Sequence, residues 1–238
     1  MSLGFQESGF DILAGFEHWD TAILCYRKNF LHPVEDVDLS NVELSVKTIM
    51  KYNPDIIIGG PPCQDFSGAG NRIEGSRADL TIAYAKIIQK ISPKYFVMEN
   101  VERAAGSKAY KKAREIFKSA GYGLTERVLD ASFCGVPQKR KRFFCIGYKN
   151  GSDSFLDGLL STNQSVFPLT VRKYFEQENY NLSIEYYYRH PRSYKRRGIF
   201  SVDEPSPTIR GVNRPKPNNY KKHSGDLVSP DGVRNLTT

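Results

Sequence analysis

An α/β fold, in which a sheet of buried strands is covered by helices and followed by a smaller irregular region, is predicted by three observations. Short apolar runs bounded by turn residues recur through the first 148 positions, and stretches of helical periodicity lie between them. From Lys149 onward the pattern breaks into Gly, Ser, Asn and Pro with only short strand candidates. Alternation of buried strand and amphipathic helix is the grammar of a parallel sheet with helices on its faces.

Taken in order, Asp55-Ile56-Ile57-Ile58-Gly59-Gly60 reads as a buried strand. It runs into Pro61-Pro62-Cys63-Gln64, where two prolines stiffen the turn, the glycines admit close backbone approach, and one thiol stands at a strand end. Leu80, Ile82, Ala83, Ala85, Ile87, Ile88 and Ile91 mark one amphipathic helix. Lys94-Tyr95-Phe96-Val97-Met98 reads as a second buried strand and ends in Glu99-Asn100-Val101, placing a carboxylate at a second strand end. Residues 109–120 form another helix, stopped by Gly121. Gln138-Lys139-Arg140-Lys141-Arg142 leads into the strand-like Phe143-Phe144-Cys145-Ile146-Gly147-Tyr148, so alternate basic side chains share a direction. Ser206-Pro207-Thr208-Ile209-Arg210 is a short strand candidate in the irregular part. No internal repeat interrupts this order.

A chain of 238 residues can bury a sizeable core, and no apolar run is long enough to cross a membrane. There is no signal-peptide pattern, and Cys25, Cys63, Cys134 and Cys145 form neither a Cys-x-x-Cys pair nor a cluster with histidine at metal spacing. The expectation is a soluble cytoplasmic protein without metal or membrane partner. The charge is uneven: residues 186–222 hold ten basic and two acidic residues, a formal +8 equal to that of the whole chain. Interleaved with Tyr186, Tyr187, Tyr188, Tyr194 and Tyr220, this block suits a polyanion whose phosphates meet cations and whose bases or sugars meet aromatic faces.

A thiol, a carboxylate and paired guanidinium groups at sheet ends make an anion-handling site, and the ordered motifs Pro62-Cys63-Gln64, Glu99-Asn100-Val101 and Gln138-x-Arg140-x-Arg142 resemble those of the cytosine C5 DNA methyltransferase family in its prokaryotic restriction-modification form. The resemblance implies a Rossmann-like, S-adenosylmethionine-dependent methyltransferase sheet with a target-recognition region. It divides the chain into a catalytic part over 1–148, target recognition over 149–233, and the start of the ninth motif over 234–238. The family's first-motif glycine turn and tenth motif have no counterpart here. Residues 1–10 resemble the helix after the first motif. An incomplete sheet of this kind exposes an edge and apolar faces, which implies either poor stability or a complementing polypeptide. No Cys-Phe-Thr element of the transfer RNA branch is present.

What the resemblance implies for residues is specific. Cys63 is the nucleophile for carbon 6 of an extruded cytosine, Glu99 the acid at N3, Asn100 a support of site geometry, and Arg140 and Arg142 contacts to the base carbonyl or phosphate. The segment from Gln64 through Ser67 to Arg72 resembles the family's mobile catalytic loop. Ala14-Gly15-Phe16-Glu17-His18-Trp19 resembles the second motif, with Glu17 on ribose hydroxyls and His18 or Trp19 against adenine. Asp38-Leu39 resembles the third, with Asp36 as the competing register for the residue that reads the adenine amino group; Pro61 and Leu80 are further cofactor contacts. Duplex DNA is then met by Gln64, Ser67, Arg72, Gln138, Arg189, Arg192, Arg196, Arg197, Arg210 and Arg214. The alternative is a fragment that binds DNA but needs a further chain for activity.

Overall fold

The structure is a computed structural model that describes residues 1–62, 78–191, 193, 195–209 and 214–235, with backbone alone at 78–79. In chain order the first elements are α1 (Ser2–Glu7), β1 (Gly15–Glu17), α2 (Asp20–Asn29), β2 (Val34–Asp36), α3 (Val42–Met50) and β3 (Ile56–Gly59). Then follow α4 (Ala78–Ile91), β4 (Tyr95–Val101), α5 (Lys108–Ser119), β5 (Tyr122–Asp130), β6 (Gln138–Lys139) and β7 (Lys141–Lys149). The remainder are α6 (Asp157–Thr162), α7 (Val171–Gln177), β8 (Tyr186–Tyr188), β9 (Ile199–Ser201), β10 (Ser206–Pro207) and β11 (Arg234–Asn235). Two compact units result: Met1–Val128 with Arg142–Gly158, and Leu129–Lys141 with Leu159–Thr238.

The first unit is α/β, as the run-and-helix pattern predicts. Its main sheet has the order β3-β4-β7-β5, with β3 parallel to β4 and β4 antiparallel to β7. The helices form where the sequence supplies both stripe and cap. Asn41 Oδ1 accepts from the Leu44 amide at 3.1 Å to start α3, and the Ser107 hydroxyl accepts from the Tyr110 amide at 3.0 Å to start α5. Gly121, at φ +79°, takes the left-handed conformation that ends α5. Small residues on the facing stripes, Ala85 of α4 and Ala113 of α5, let those helices close on the sheet around Phe96, Met98, Phe117 and Cys145, all fully buried. Phe96 and Phe117 rings lie 4.2 Å apart, Phe96 and Tyr122 rings 5.0 Å, and the Tyr122 hydroxyl donates to the Pro93 carbonyl at 2.5 Å. Burial, reinforced by the Glu126 carboxylate, pushes the Cys145 thiol up to about 12, which makes it an inert core group rather than a nucleophile.

β1 and β2 pair in parallel, Phe16 opposite Glu35, and form a sheet of their own. Among the described residues the strands of the first unit therefore fall into two sheets. β1 and β3 each keep an unshared edge among the described residues, and both line a cavity of about 1060 Å³ together with Met1, Phe5 and Phe10 of the N-terminal segment.

The second unit takes in 129–141 as well as the C-terminal part. Two contacts explain this: β6 pairs with β10 (Gln138 opposite Ser206), and the turn at Ser132 and Phe133 accepts amides from Leu169 and Ser165 at 2.7 and 2.9 Å. The basic run over 138–142, read as leading directly into the strand-like 143–148, is divided at Arg140 between β6 and β7. The Asp130 carboxylate accepts the Arg140 amide at 3.2 Å, and the Arg140 carbonyl accepts from Ala131, so neither group is left for a ladder. β11-β8-β9 is a small sheet over a cluster of Tyr187, Phe200 and Val202. Beside it lies Asp226, 4% exposed, whose carboxylate accepts from the Gly198, Ile199 and His223 amides at 3.1, 3.0 and 2.8 Å and from the Tyr220 hydroxyl at 2.7 Å. Burial pushes its pKa up, but these four donors together outweigh burial and hold it below the usual carboxylate range.

Two expectations follow from this packing. An added Cβ at Gly147 would come within 2.0 Å of Phe96 Cε1, which the filled core cannot move, so Gly147→Ala costs about 2 kcal/mol or more and lowers Tm by about 5 °C or more in thermal unfolding. For Asp226, a depressed folded pKa means stability that is present above the ordinary aspartate value of about 3.9 and lost as pH falls through the folded value. Asp226→Asn is then expected to be less stable at neutral pH by about 2 kcal/mol, with a flatter loss below about pH 4 in urea titrations.

Candidate active site

Chemistry-bearing residues of the first unit gather where β3 and β4 end side by side. Parallel pairing of Gly59 with Met98 brings the turn after β3 alongside Glu99 and Asn100. Asn100 is buried at 3% exposure and has both side-chain groups engaged: its Oδ1 accepts from the Val101 amide at 2.8 Å and its Nδ2 donates to the Pro61 carbonyl at 3.1 Å. That last bond ties the Pro61-Pro62 turn to the neighbouring strand. Cys63, Gln64, Ser67 and Arg72, which follow the turn, lie outside the described residues.

Alternation along β4 puts Glu99 and Val101 on one face, and Val101 stands opposite Arg142 of β7. Glu99 and Arg142 are therefore diagonal neighbours, and their side chains form a half-buried ion pair, Nε to Oε1 2.9 Å. A Cβ at Gly60 would lie 3.4 Å from Glu99 Oε2, so glycine leaves space against this carboxylate. Below, Tyr84 sets its hydroxyl between the carbonyls of Ile57 at 3.2 Å and Val97 at 3.0 Å and occupies the space a Cβ at Gly59 would need. Burial holds the Tyr84 phenol protonated. Sequence reasoning missed Tyr84; in the sequence it is one more helical apolar position.

Of the predicted cofactor residues, Glu17, His18, Asp38, Leu39, Pro61 and Leu80 all line the cavity between β1 and β3. Trp19 is 67% exposed and is not among its lining residues. One Glu17 oxygen accepts the His18 and Trp19 amides at 2.8 and 3.1 Å, which fixes the carboxylate and leaves its second oxygen for other donors. Asp36 accepts from His18 Nδ1 at 2.9 Å, and this hydrogen bond is the main reason the His18 pKa is raised. Asp38 accepts the Ser40 amide at 2.9 Å, which lowers its pKa, and it lines the cavity where Asp36 does not. Carboxylates at the rim of a largely apolar cavity suit a ligand with hydroxyl and amino donors on an aromatic and aliphatic body. Among the described residues no group of three or more His, Cys, Asp or Glu is placed to hold a metal ion, and no helix is long and apolar enough to cross a membrane.

In the second unit the predicted polyanion contacts have unequal surroundings. Arg197 forms a two-pronged ion pair with Glu204, one N–O distance being 2.9 Å, and lies 4.4 Å over the Phe200 ring. Arg189 donates to the Thr208 carbonyl, and Gln138 and Arg140 sit in the β6 turn. Arg196 and Arg214 are exposed. Arg192 and Arg210 lie outside the described residues.

The sequence matches the family described as C-5 cytosine-specific DNA methylase over residues 1–237. It is 53% identical to the Type II methyltransferase M.HindV of Haemophilus influenzae, over all of this chain and 78% of that protein. It is 51% identical to the Type II methyltransferase M.HgiDI of Herpetosiphon aurantiacus, over all of this chain and 76% of that protein. Among solved structures, a mutant of Spodoptera frugiperda DNMT2 superposes with a TM-score of 0.54 at 26% identity, covering 63% of this chain. The chain spans 46% of that protein's length, about half.

Proposed function

We propose, from the premise that this chain belongs to the C-5 cytosine-specific DNA methylase family, that it methylates carbon 5 of cytosine in a specific duplex DNA sequence, with S-adenosylmethionine as methyl donor, in a restriction-modification setting. The observation that carries this reading is the junction at the ends of β3 and β4, where Asn100 holds the turn that leads to Cys63 beside the Glu99–Arg142 pair.

The substrate sets the requirements. Carbon 5 of cytosine is a poor nucleophile until a thiolate adds at carbon 6 and turns the ring into an enamine. Cys63 is assigned that addition, from its place in Pro-Pro-Cys-Gln. The negative charge that enters the ring is met at N3 by Glu99 in its protonated form, or sharing its proton with N3. Arg142 holds the Glu99 carboxylate in place before the base arrives, and its guanidinium then meets a carbonyl or phosphate oxygen. Once the methyl group is on carbon 5, loss of the carbon 5 proton expels the thiolate and restores aromaticity. Reaching carbon 6 requires extruding the base, at a few kcal/mol for unstacking and unpairing. The loop with Gln64, Ser67 and Arg72 is assigned to fill the space it leaves. The cations of the second unit supply phosphate contacts.

S-adenosylmethionine supplies an electrophilic methyl group when bound. The cavity fits it: Glu17 and Asp38 offer carboxylates for ribose hydroxyls and the adenine amino group, His18 and Leu39 offer flanking surface, and Pro61 and Leu80 add further lining.

A second reading is favoured by the divided sheet. With β1 and β3 unjoined among the described residues, the chain on this reading binds duplex DNA but transfers methyl groups only when a further polypeptide segment completes the cofactor site. DNA binding without transfer, with transfer restored by such a segment, singles it out.

The test of the first reading is transfer of labelled methyl from S-adenosylmethionine to mixed-sequence duplex DNA with bisulfite mapping of the product. Label at cytosine C5 is expected, and Cys63→Ala abolishes both transfer and covalent trapping by a 5-fluorocytosine duplex while duplex affinity stays within a few-fold; an active Cys63→Ala variant contradicts the assignment. For the cofactor, calorimetry is expected to show about 10- to 100-fold weaker S-adenosylmethionine binding for Glu17→Ala and Asp38→Ala, each losing a hydrogen bond to a charged group. Asp36→Ala weakens it less than Asp38→Ala; the reverse order moves the adenine contact to Asp36.

A further inference from the structure

We propose that two turns of the second unit, one carrying Lys195 and Arg196 and the other Lys221 and Lys222, form a single four-cation seat for the phosphates of the DNA backbone. The proposal rests on the reading of duplex DNA as substrate and goes beyond it by placing one set of contacts.

The turns are far apart in sequence and are stitched together by polar groups, of which Asp226 is buried. Gly225 donates its amide to His223 Nδ1 at 2.9 Å, so Nδ1 is an acceptor, Nε2 carries the proton, and Nε2 donates to the Lys195 carbonyl at 3.1 Å. Asp226 receives the amides of Gly198 and Ile199, just after the first turn, and the amide of His223 and hydroxyl of Tyr220, on either side of the second. The Tyr220 hydroxyl also accepts from Gly198 at 3.0 Å, and its ring meets Tyr188 edge-on at 5.3 Å. A carboxylate 4% exposed with four donors is a structural rivet. What it fastens is one basic turn against another, an arrangement that like-charge repulsion alone would oppose.

The allocation of cations gives the purpose. Arg197 is taken up by Glu204, Arg172 by Asp203 and Glu185, and the Lys216 ammonium by the Pro230 carbonyl. Lys195, Arg196, Lys221 and Lys222 are all exposed, and none has an ion-pair or side-chain hydrogen-bond partner among the described residues. The Asp226 carboxylate at the stitch is buried and has four donors. Four cations without a partner among the described residues, on turns fastened from beneath, are pre-organised for a polyanion, because little backbone freedom remains to be lost on binding.

The experiment measures affinity of the full chain for a mixed-sequence 30-base-pair duplex across a salt series. K195Q/R196Q/K221Q/K222Q is expected to reduce the slope of log K against log salt by up to about 3.6, at about 0.9 per phosphate contact, and each pair alone by about half of that. K86Q/K108Q/K111Q/K112Q, which removes the same charge from α4 and α5, is expected to leave the slope unchanged. Tm measured on every variant separates lost contacts from lost folding. If the unaltered chain binds the duplex and the quadruple variant keeps its slope, or one pair contributes nothing, the seat is overturned and the DNA reading stands. If the unaltered chain shows no salt-dependent affinity for the duplex, both fall.

Discussion

One hydrogen bond organises the candidate site: Asn100 Nδ2 to the carbonyl of Pro61, at 3.1 Å. Parallel pairing of β3 and β4 is set by apolar runs that could end without regard to each other. The chemistry needs more than neighbouring strands, because a thiol-bearing turn and a carboxylate must hold one relative position. A buried amide spanning the gap meets that need, since an unsatisfied amide in the core costs about 1–3 kcal/mol and the structure keeps it paired. Proline at both positions of the turn limits how far the chain can depart from that anchor. The Glu99–Arg142 pair depends on the same register, as Arg142 reaches Glu99 only because Val101 stands opposite it.

The second unit follows a different rule, in which carboxylates decide what arginines do. Glu204 and Asp203 commit Arg197 and Arg172 to holding the small sheet and its flanking helix, and Asp226 uses backbone amides to bind two turns. Arg197 and Arg196 are neighbours in one basic block of the sequence, yet part of that block is scaffold and part is surface. Net charge therefore predicts a polyanion partner without identifying which cations meet it.

Much of this was legible in the sequence because it depends on local pattern. The isoleucine run, the helix ended by Gly121 and the strand into Glu99 formed where periodicity placed them, since apolar spacing and turn residues act over a few neighbours. The candidate site was legible as residue types at strand ends. What could not be read depends on distant partners. The break at Arg140 arises because Asp130 claims its amide, and Arg197 is set apart from Arg196 by Glu204 and the Phe200 ring. Tyr84 and Asp226 carried no signal, for their roles rest on carbonyls and amides whose positions the fold alone supplies.

The measurement that bears most directly on this account is the rate of covalent trapping by a 5-fluorocytosine duplex in Asn100→Ala, at saturating duplex and S-adenosylmethionine, beside thermal unfolding of the same variant. If Asn100 fixes the Cys63 turn against Glu99, trapping slows by about 100-fold, as a displacement near 1 Å at a reacting group does, while the duplex Kd is unchanged and the variant remains folded. Trapping at the unaltered rate in a folded Asn100→Ala variant would contradict it.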